Sequence, residues 1–277
     1  MAYDPEAVER YYDIAGLAEY ERHDKSPEMR VKFELHLSCL RCFVKPGSRV
    51  LEIGPGPGRF TEVLAEMGCR ISVVDISSEQ LRLNRERAQE RGYTGSIDDW
   101  WKEDVCDLRA LEPQLFDAIV AFGGPFSYVL DRCDRALQEC MKRLEPAGRL
   151  LVSVMSKWGT IHAFLRDVHA LPPEEIEAII RTGDVTPETT PRAAADGHHF
   201  HMFTATELRR LLEDHGLAID FLSASNAVST KWGELLETEE AFAKILELEQ
   251  KAAQSSGALD MGTHILAVAS RSAGADA

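Results

Sequence analysis

No apolar run in this sequence approaches the roughly 20 residues that a membrane-spanning helix needs. The opening residues, MAYDPEAVER, contain no apolar signal core. Positive charge is scarce. Lys and Arg total 31 against 46 Asp and Glu, a net charge of −15. An acidic surface repels polyphosphate and anionic lipid, so nucleic acid and membrane are both disfavoured as partners. Internal repeats and low-complexity tracts are absent. The six cysteines, Cys39, Cys42, Cys69, Cys106, Cys133 and Cys140, are scattered. Cys39-x-x-Cys42 is not followed by a second Cys or His pair at zinc spacing. In a helical stretch that spacing puts two small apolar groups on one face. Free thiols in a reducing cytoplasm, with no structural metal, are expected.

What is present is a globular composition, 44% hydrophobic and 28% charged over 277 residues, which excludes wholesale disorder and supports a full core. Two helical stretches come first, about Pro5 to Glu21 and Pro27 to Val44, and Pro46-Gly47 marks the turn out. Strands and helices then alternate. Strands are predicted at Arg49–Ile53, Arg70–Val74, Ile97–Glu103, Phe116–Phe122 and Arg149–Val154. Between them, Phe60, Val63, Leu64 and Met67 recur at helical spacing, as do Cys133, Ala136, Leu137, Cys140, Met141 and Leu144. Pro146-Ala147-Gly148 reads as a turn before the fifth strand. This alternation predicts a mostly parallel sheet with helices on both faces. Met155 to Phe203 breaks the rhythm with several prolines and an alanine run. Thr204 and Glu207 then form a capping box, followed by strands at Leu217–Leu222 and Thr263–Ala269 and a long acidic helix over Lys231–Gln254.

The chemistry-bearing signal is Glu52-Ile53-Gly54-Pro55-Gly56-Pro57-Gly58. Here a strand enters a turn whose glycines let a ligand approach the backbone, and the turn leads into a helix N-terminus. Dinucleotide enzymes use G-x-G-x-x-G, which would need glycine at position 59; that residue is Arg59. Asp75 closes the second strand, where a carboxylate can accept ribose hydroxyls, with Ile76 beside it. Asp104-Val105 follows the third strand, Phe116-Asp117-Ala118-Ile119-Val120 forms the fourth, and Leu144-Glu145-Pro146-Ala147-Gly148-Arg149-Leu150 introduces the fifth.

In that order these motifs resemble class I S-adenosylmethionine-dependent methyltransferases of the Rossmann-like, small-molecule type. The resemblance covers about Arg49 to Val154 well and the last two strands loosely. It implies a seven-stranded α/β sandwich, its last strand antiparallel, with S-adenosylmethionine across the carboxyl ends of the first, second and fourth strands. It also implies that Glu52, Gly54, Gly56 and Gly58 face the methionine part, Asp75 and Ile76 the ribose, and Asp104 and Val105 the adenine. Phe122 and Gly123 would complete that wall, and an N-terminal helix with Tyr11 and Tyr12 would close over the cofactor. An N/D-P-P-Y/F element is missing after the fourth strand, where the chain reads Gly123-Gly124-Pro125-Phe126; this disfavours adenine or amide methylation. Gly124, Pro125, Tyr128, His199 and His201 are candidates for the acceptor pocket.

The predicted division is 1–45 helical cap, 46–154 cofactor-binding core, 155–203 lid and substrate insertion, 204–270 C-terminal part of the core and 271–277 disordered tail. Of the histidines at 198, 199 and 201, His201 is flanked by Phe200 and Met202, so packing should point it inward. It is the candidate general base or orienting group, while His198 reads as solvated loop. The three lack the i, i+4 spacing of a helical zinc site. The expected activity is methyl transfer to a small molecule. A nucleic-acid or protein methyltransferase, a nicotinamide-dependent dehydrogenase and a non-catalytic cofactor-binding protein stay open, as does a homodimer.

Overall fold

The computed structural model describes residues 3–21 and 25–272. Five strands run parallel: β1 (Arg49–Ile53), β2 (Arg70–Asp75), β3 (Ile97–Lys102), β4 (Phe116–Ala121) and β5 (Leu144–Met155). After the two-residue strands β6 (Asp184–Val185) and β7 (Phe200–His201) come β8 (Leu217–Ser225) and β9 (His264–Arg271). The main sheet has seven strands in the order β3-β2-β1-β4-β5-β9-β8. β9 lies antiparallel between β5 and β8, as the family resemblance implies.

Alternation within the strands assigns each side chain to a layer. Leu51, Ile53, Ile119, Ala121, Leu150 and Val152 point to one face, where they meet Leu137 and Cys140 of α7 (Cys133–Arg143) and Leu208 and Leu212 of α11 (Ala205–Asp214). Val50, Ile71, Val73, Ala118, Val120 and Leu151 point to the other, against Leu37 and Leu40 of α3 (Pro27–Phe43), Leu64 of α4 (Arg59–Glu66) and Leu81 of α5 (Ser78–Arg91). Burying one such aliphatic side chain contributes about 1.5–3 kcal/mol, so the sheet's register follows from both faces at once. The crossovers leave the carboxyl ends of β1, β2 and β4 at one edge.

Several predicted elements change. The first helix is broken: α1 (Pro5–Ala15) stops at Gly16, whose φ is +51°, and α2 (Ala18–Glu21) is a single turn. The acidic helix is shorter. α12 (Glu239–Ala252) begins at a Thr238 cap, because Lys231 has φ +70° and Gly233–Leu236 forms a 3-10 turn. Pro146-Ala147-Gly148 does not separate two elements; it is a bulge inside β5, which already pairs with β4 at Leu144. The third strand ends at Lys102, one residue early.

Residues 157–201 hold α8 (Lys157–Ala163), α9 (Leu165–His169), α10 (Pro173–Thr182) and the β6–β7 ribbon. Phe203 N donates to Met155 O at 2.8 Å and Lys157 N to Phe203 O at 2.8 Å, so this segment leaves and rejoins the core at one point. Of the predicted tail, Arg271 ends β9 and residues 273–277 lie outside the described residues.

Candidate active site

The glycine turn sits in tight surroundings. Gly54 has φ +62°, its N–H donates to Val74 O at 2.8 Å, and a Cβ there would stand 2.8 Å from Pro125 Cγ. Gly58 has φ +95° and opens α4; a Cβ there would meet Asn84 Nδ2 at 2.8 Å. Asn84 was not singled out from the sequence. It is fully buried, donates to Gly56 O (3.2 Å) and Thr61 Oγ1 (3.1 Å), and accepts from Trp100 Nε1 (2.9 Å). The available signal was an amide on the inner face of a helix, between Leu81 and Ala88.

Two carboxylates end the inner strands. Asp75 Oδ2 accepts from Gly56 N at 3.2 Å and Oδ1 from Ser77 N at 2.9 Å. Burial raises its pKa to about 6, against the pull of those N–H groups. Glu52 is 2% exposed, and burial lifts it further, to about 8; a bond to Thr61 works the other way and the Asp75 charge adds to the rise. Glu52 Oε2 is buried and has no hydrogen-bond partner among the described residues. A third carboxylate, Asp104, accepts from Cys106 N at 2.8 Å and bonds the Tyr3 hydroxyl, whose pKa is raised chiefly by its own burial.

These groups surround a cavity of about 970 Å³, its open mouth included. Glu52, Gly54, Gly56, Asp75, Ile76, Asp104, Val105, Phe122, Gly123 and Tyr12 all line it, as do Pro125 and Tyr128. Gly58 does not; it braces the turn from behind. Tyr11 and His199 line a smaller adjacent cavity instead, and Gly124 lines neither. Gly123 is fixed by its N–H on Ser153 Oγ at 2.8 Å, and its carbonyl accepts from the Tyr128 hydroxyl at 3.3 Å. Arg59 also lines the cavity, its guanidinium over the Tyr20 and Phe33 rings at 4.8 and 4.9 Å.

One wall is the N-terminal helix. Asp13 Oδ1 accepts from Ser77 Oγ (2.5 Å) and Glu79 N (3.2 Å), satisfying donors at the start of α5. Gln80 Nε2 donates to Tyr12 O (2.8 Å) and Gly16 O (3.1 Å), and Lys102 pairs with Glu9 at 2.6 Å. α1 is thus fastened beside Asp75 by Asp13 and by Gln80, whose backbone N–H also donates to the Ser77 cap at 3.1 Å.

The histidine assignment needs correction. His201 lines neither cavity. Its Nδ1 lies 2.6 Å from Asp184 Oδ1 and its ring abuts Phe203, because β7 pairs with β6 and sets residue 201 opposite residue 184. His198 is not a solvated loop residue. Its ring stacks on Tyr11 at 4.4 Å and 7° and contacts Phe200 at 4.8 Å. Among the described residues no group of three His, Cys, Asp or Glu could hold a metal ion. No described helix is long and apolar enough to cross a membrane.

Residues 50–148 match the family model described as a methyltransferase domain. That segment runs from β1 into β5 and carries the glycine turn, Asp75 and Asp104. A ubiquinone biosynthesis O-methyltransferase of Xylella fastidiosa is 32% identical over 119 residues, 43% of this chain and 46% of its own length. The chain therefore spans about half the length of the curated relatives it matches. Two solved structures share the fold over nearly the whole chain. The CcbJ methyltransferase of Streptomyces caelestis has a TM-score of 0.61 at 16% identity, covering 98% of this chain and 100% of that one. The Burkholderia thailandensis 1,6-didemethyltoxoflavin-N1-methyltransferase, solved with its namesake compound and S-adenosylhomocysteine, has a TM-score of 0.58 at 14% identity, covering 96% and 88%.

Proposed function

We propose that this protein transfers a methyl group from S-adenosylmethionine to a small-molecule acceptor by in-line displacement. The observation that carries the proposal is the set of three carboxylates, Glu52, Asp75 and Asp104, around a glycine turn at one sheet edge. A cavity with buried carboxylates favours a ligand with positive charge and several hydroxyl or amino donors. The unpartnered Glu52 Oε2 fits that requirement, since it needs a donor or a cation. Asp75 would accept from the ribose hydroxyls and Asp104 from the adenine amino group, and the Val105 N–H would meet the ring. Gly54 and Gly56 would let the backbone approach the methionine part, Ile76 would lie beside Asp75 at the ribose, and Phe122 would complete the wall with Gly123.

The bound cofactor supplies an already activated methyl group, so the protein's work is alignment and exclusion of water. Gly123 and Pro125 wall the reacting end at the carboxyl edge of β4, and α1, with Tyr12, closes the other side. Residues 155–203 contribute the outer part of the acceptor side through the 197–199 turn. The net charge of −15 argues for a small molecule over nucleic acid, and six free thiols suit a reducing cytoplasm. A nicotinamide enzyme is disfavoured by Arg59 at the position of the third dinucleotide glycine.

The test is methyl transfer from radiolabelled S-adenosylmethionine into a pooled metabolite extract and, separately, into bulk RNA and protein. Label in the metabolite fraction alone is expected. Label only in RNA or protein would overturn the acceptor class.

A further inference from the structure

At the β8 end of the sheet, away from the cofactor cavity, three segments meet: α8–α9, residues 226–236 after β8, and residues 260–263 before β9. They pack backbone to backbone. A Cβ on Gly159 would collide with Gly262 O, and one on Gly262 with Ser225 O. Asn226 Oδ1 accepts from Thr263 Oγ1 at 3.1 Å, and Lys231 Nζ stands 5.7 Å from the centre of the Phe164 ring. Glu249 of α12 fixes the turn from below. This fully buried carboxylate accepts from Ala227 N, Val228 N and Ser229 N at 3.0, 2.9 and 2.6 Å. On this rigid base Trp158, Phe164, Leu165, Trp232, Leu235 and Met261 are each 37–58% exposed. They are six of the eleven exposed large hydrophobics among the described residues, so the apolar surface is concentrated here. None of the six lines either cavity.

We propose that this patch is the interface of a two-fold dimer, its occupant the same patch on a second copy of this chain. The three aromatics, each about half exposed, leave roughly 300 Å² of apolar surface, and the leucines and Met261 bring it to roughly 500 Å². A stable interface takes about 800 Å² from each partner, roughly 60% of it apolar, or about 480 Å². The patch meets that requirement, and Trp, Phe and Met are side chains that interfaces favour. Its charges suit a copy of itself. Exposed Arg166 and Lys231 adjoin Phe164 and Leu165, whereas exposed Glu234 and Glu237 flank Leu235. A two-fold axis between these flanks sets the basic side of one copy against the acidic side of the other. Because the Glu249 bonds already order the turn, association costs little further ordering there. The net charge of −15 disfavours an anionic membrane as the alternative occupant.

Sedimentation velocity of the full chain across micromolar concentrations tests this. The wild type should sediment as a species of twice 30.9 kDa. Leu165→Glu and Trp232→Glu each bury an unpaired charge twice in a two-fold interface, so each should weaken the dimer by at least about a hundredfold. Ile14→Glu, at an exposed apolar residue on α1 outside the patch, should leave the dimer unchanged. Circular dichroism shows whether the variants are folded. If either glutamate variant fails to fold, the milder Trp232→Ser and Leu165→Ser must weaken the dimer for the proposal to stand. A wild type that is monomeric throughout would overturn the proposal, as would a dimer that survives both patch substitutions or one that Ile14→Glu disrupts equally. A monomer that cosediments with phosphatidylcholine vesicles, and loses them on Trp232→Glu, would give the patch to a lipid surface instead. Each of these outcomes leaves the methyltransferase reading as it was.

Discussion

Glu52 offers the sharpest test of the site's electrostatics. The carboxyl is almost wholly removed from water at the end of β1, and burial takes its pKa from 4.5 to about 8. A carboxyl whose folded pKa lies above its unfolded value binds its proton more tightly in the folded state. The apoprotein therefore loses stability as pH rises from about 4.5 to about 8 and is level in this respect beyond that. The interval is 8 − 4.5, about 3.5 pH units, and at about 1.4 kcal/mol per unit the upper bound is about 5 kcal/mol. Because the cavity opens to solvent, roughly half of that is a realistic expectation. Glu52→Gln keeps the shape and removes the titration. The variant should match the wild type near pH 4.5 and exceed it in melting temperature by several degrees at pH 9, without ligand. Binding a cationic cofactor beside Glu52 should reverse the order, since the wild-type carboxylate then gains a partner. Differential scanning fluorimetry from pH 4.5 to 9, with and without S-adenosylmethionine, reads all four curves. A wild type whose stability tracks that of Glu52→Gln across the whole range would refute the buried-carboxylate argument.

Asp75→Asn should weaken S-adenosylhomocysteine binding by roughly ten- to a hundredfold, the cost of losing hydrogen bonds to a charged group. In the wild type, affinity should fall as pH drops through about 6, where Asp75 takes up a proton; a titration flat between pH 5 and 8 would contradict this. Gly54→Ala combines an unfavourable φ with a Cβ 2.8 Å from Pro125, so it should cost at least about 1–2 kcal/mol of stability and reduce cofactor affinity, as denaturant melts and titration would show. Asn84→Ala should cost about 1–3 kcal/mol, because it leaves buried polar partners behind the glycine turn unsatisfied. Asp13→Ala should speed cofactor dissociation in stopped-flow chase with little change in global stability, since it releases α1 from α5; an unchanged off-rate would mean that α1 does not gate the cavity.

The parts of the fold that could be read in the sequence are those set by short-range pattern. β1, β2 and β4 are runs of aliphatic residues bounded by turns, and both faces of each are buried, so period and composition agreed. The glycine turn was equally plain, because positive φ at Gly54, Gly56 and Gly58 leaves few alternatives to glycine. What escaped depends on distant pairing. Flanking Phe200 and Met202 made His201 look inward, but the register of β7 on β6, seventeen residues back, gave it to Asp184. His198 joined an aromatic cluster through Tyr11, far away on α1, and Tyr128 after β4. The break at Gly16 and the late start of α12 were decided by single residues with positive φ, which hydrophobic periodicity does not register. Asn84, Asp13 and Gln80 act through hydrogen bonds to other elements, and their own neighbours in the chain carry no sign of it.

Isothermal titration calorimetry with S-adenosylhomocysteine and with NAD, on the same preparation at pH 7.5, tests the central claim most directly. The account predicts saturable one-site binding of S-adenosylhomocysteine, weakened by Asp75→Asn, and no binding of NAD. Binding of NAD without S-adenosylhomocysteine, or of neither, would contradict it.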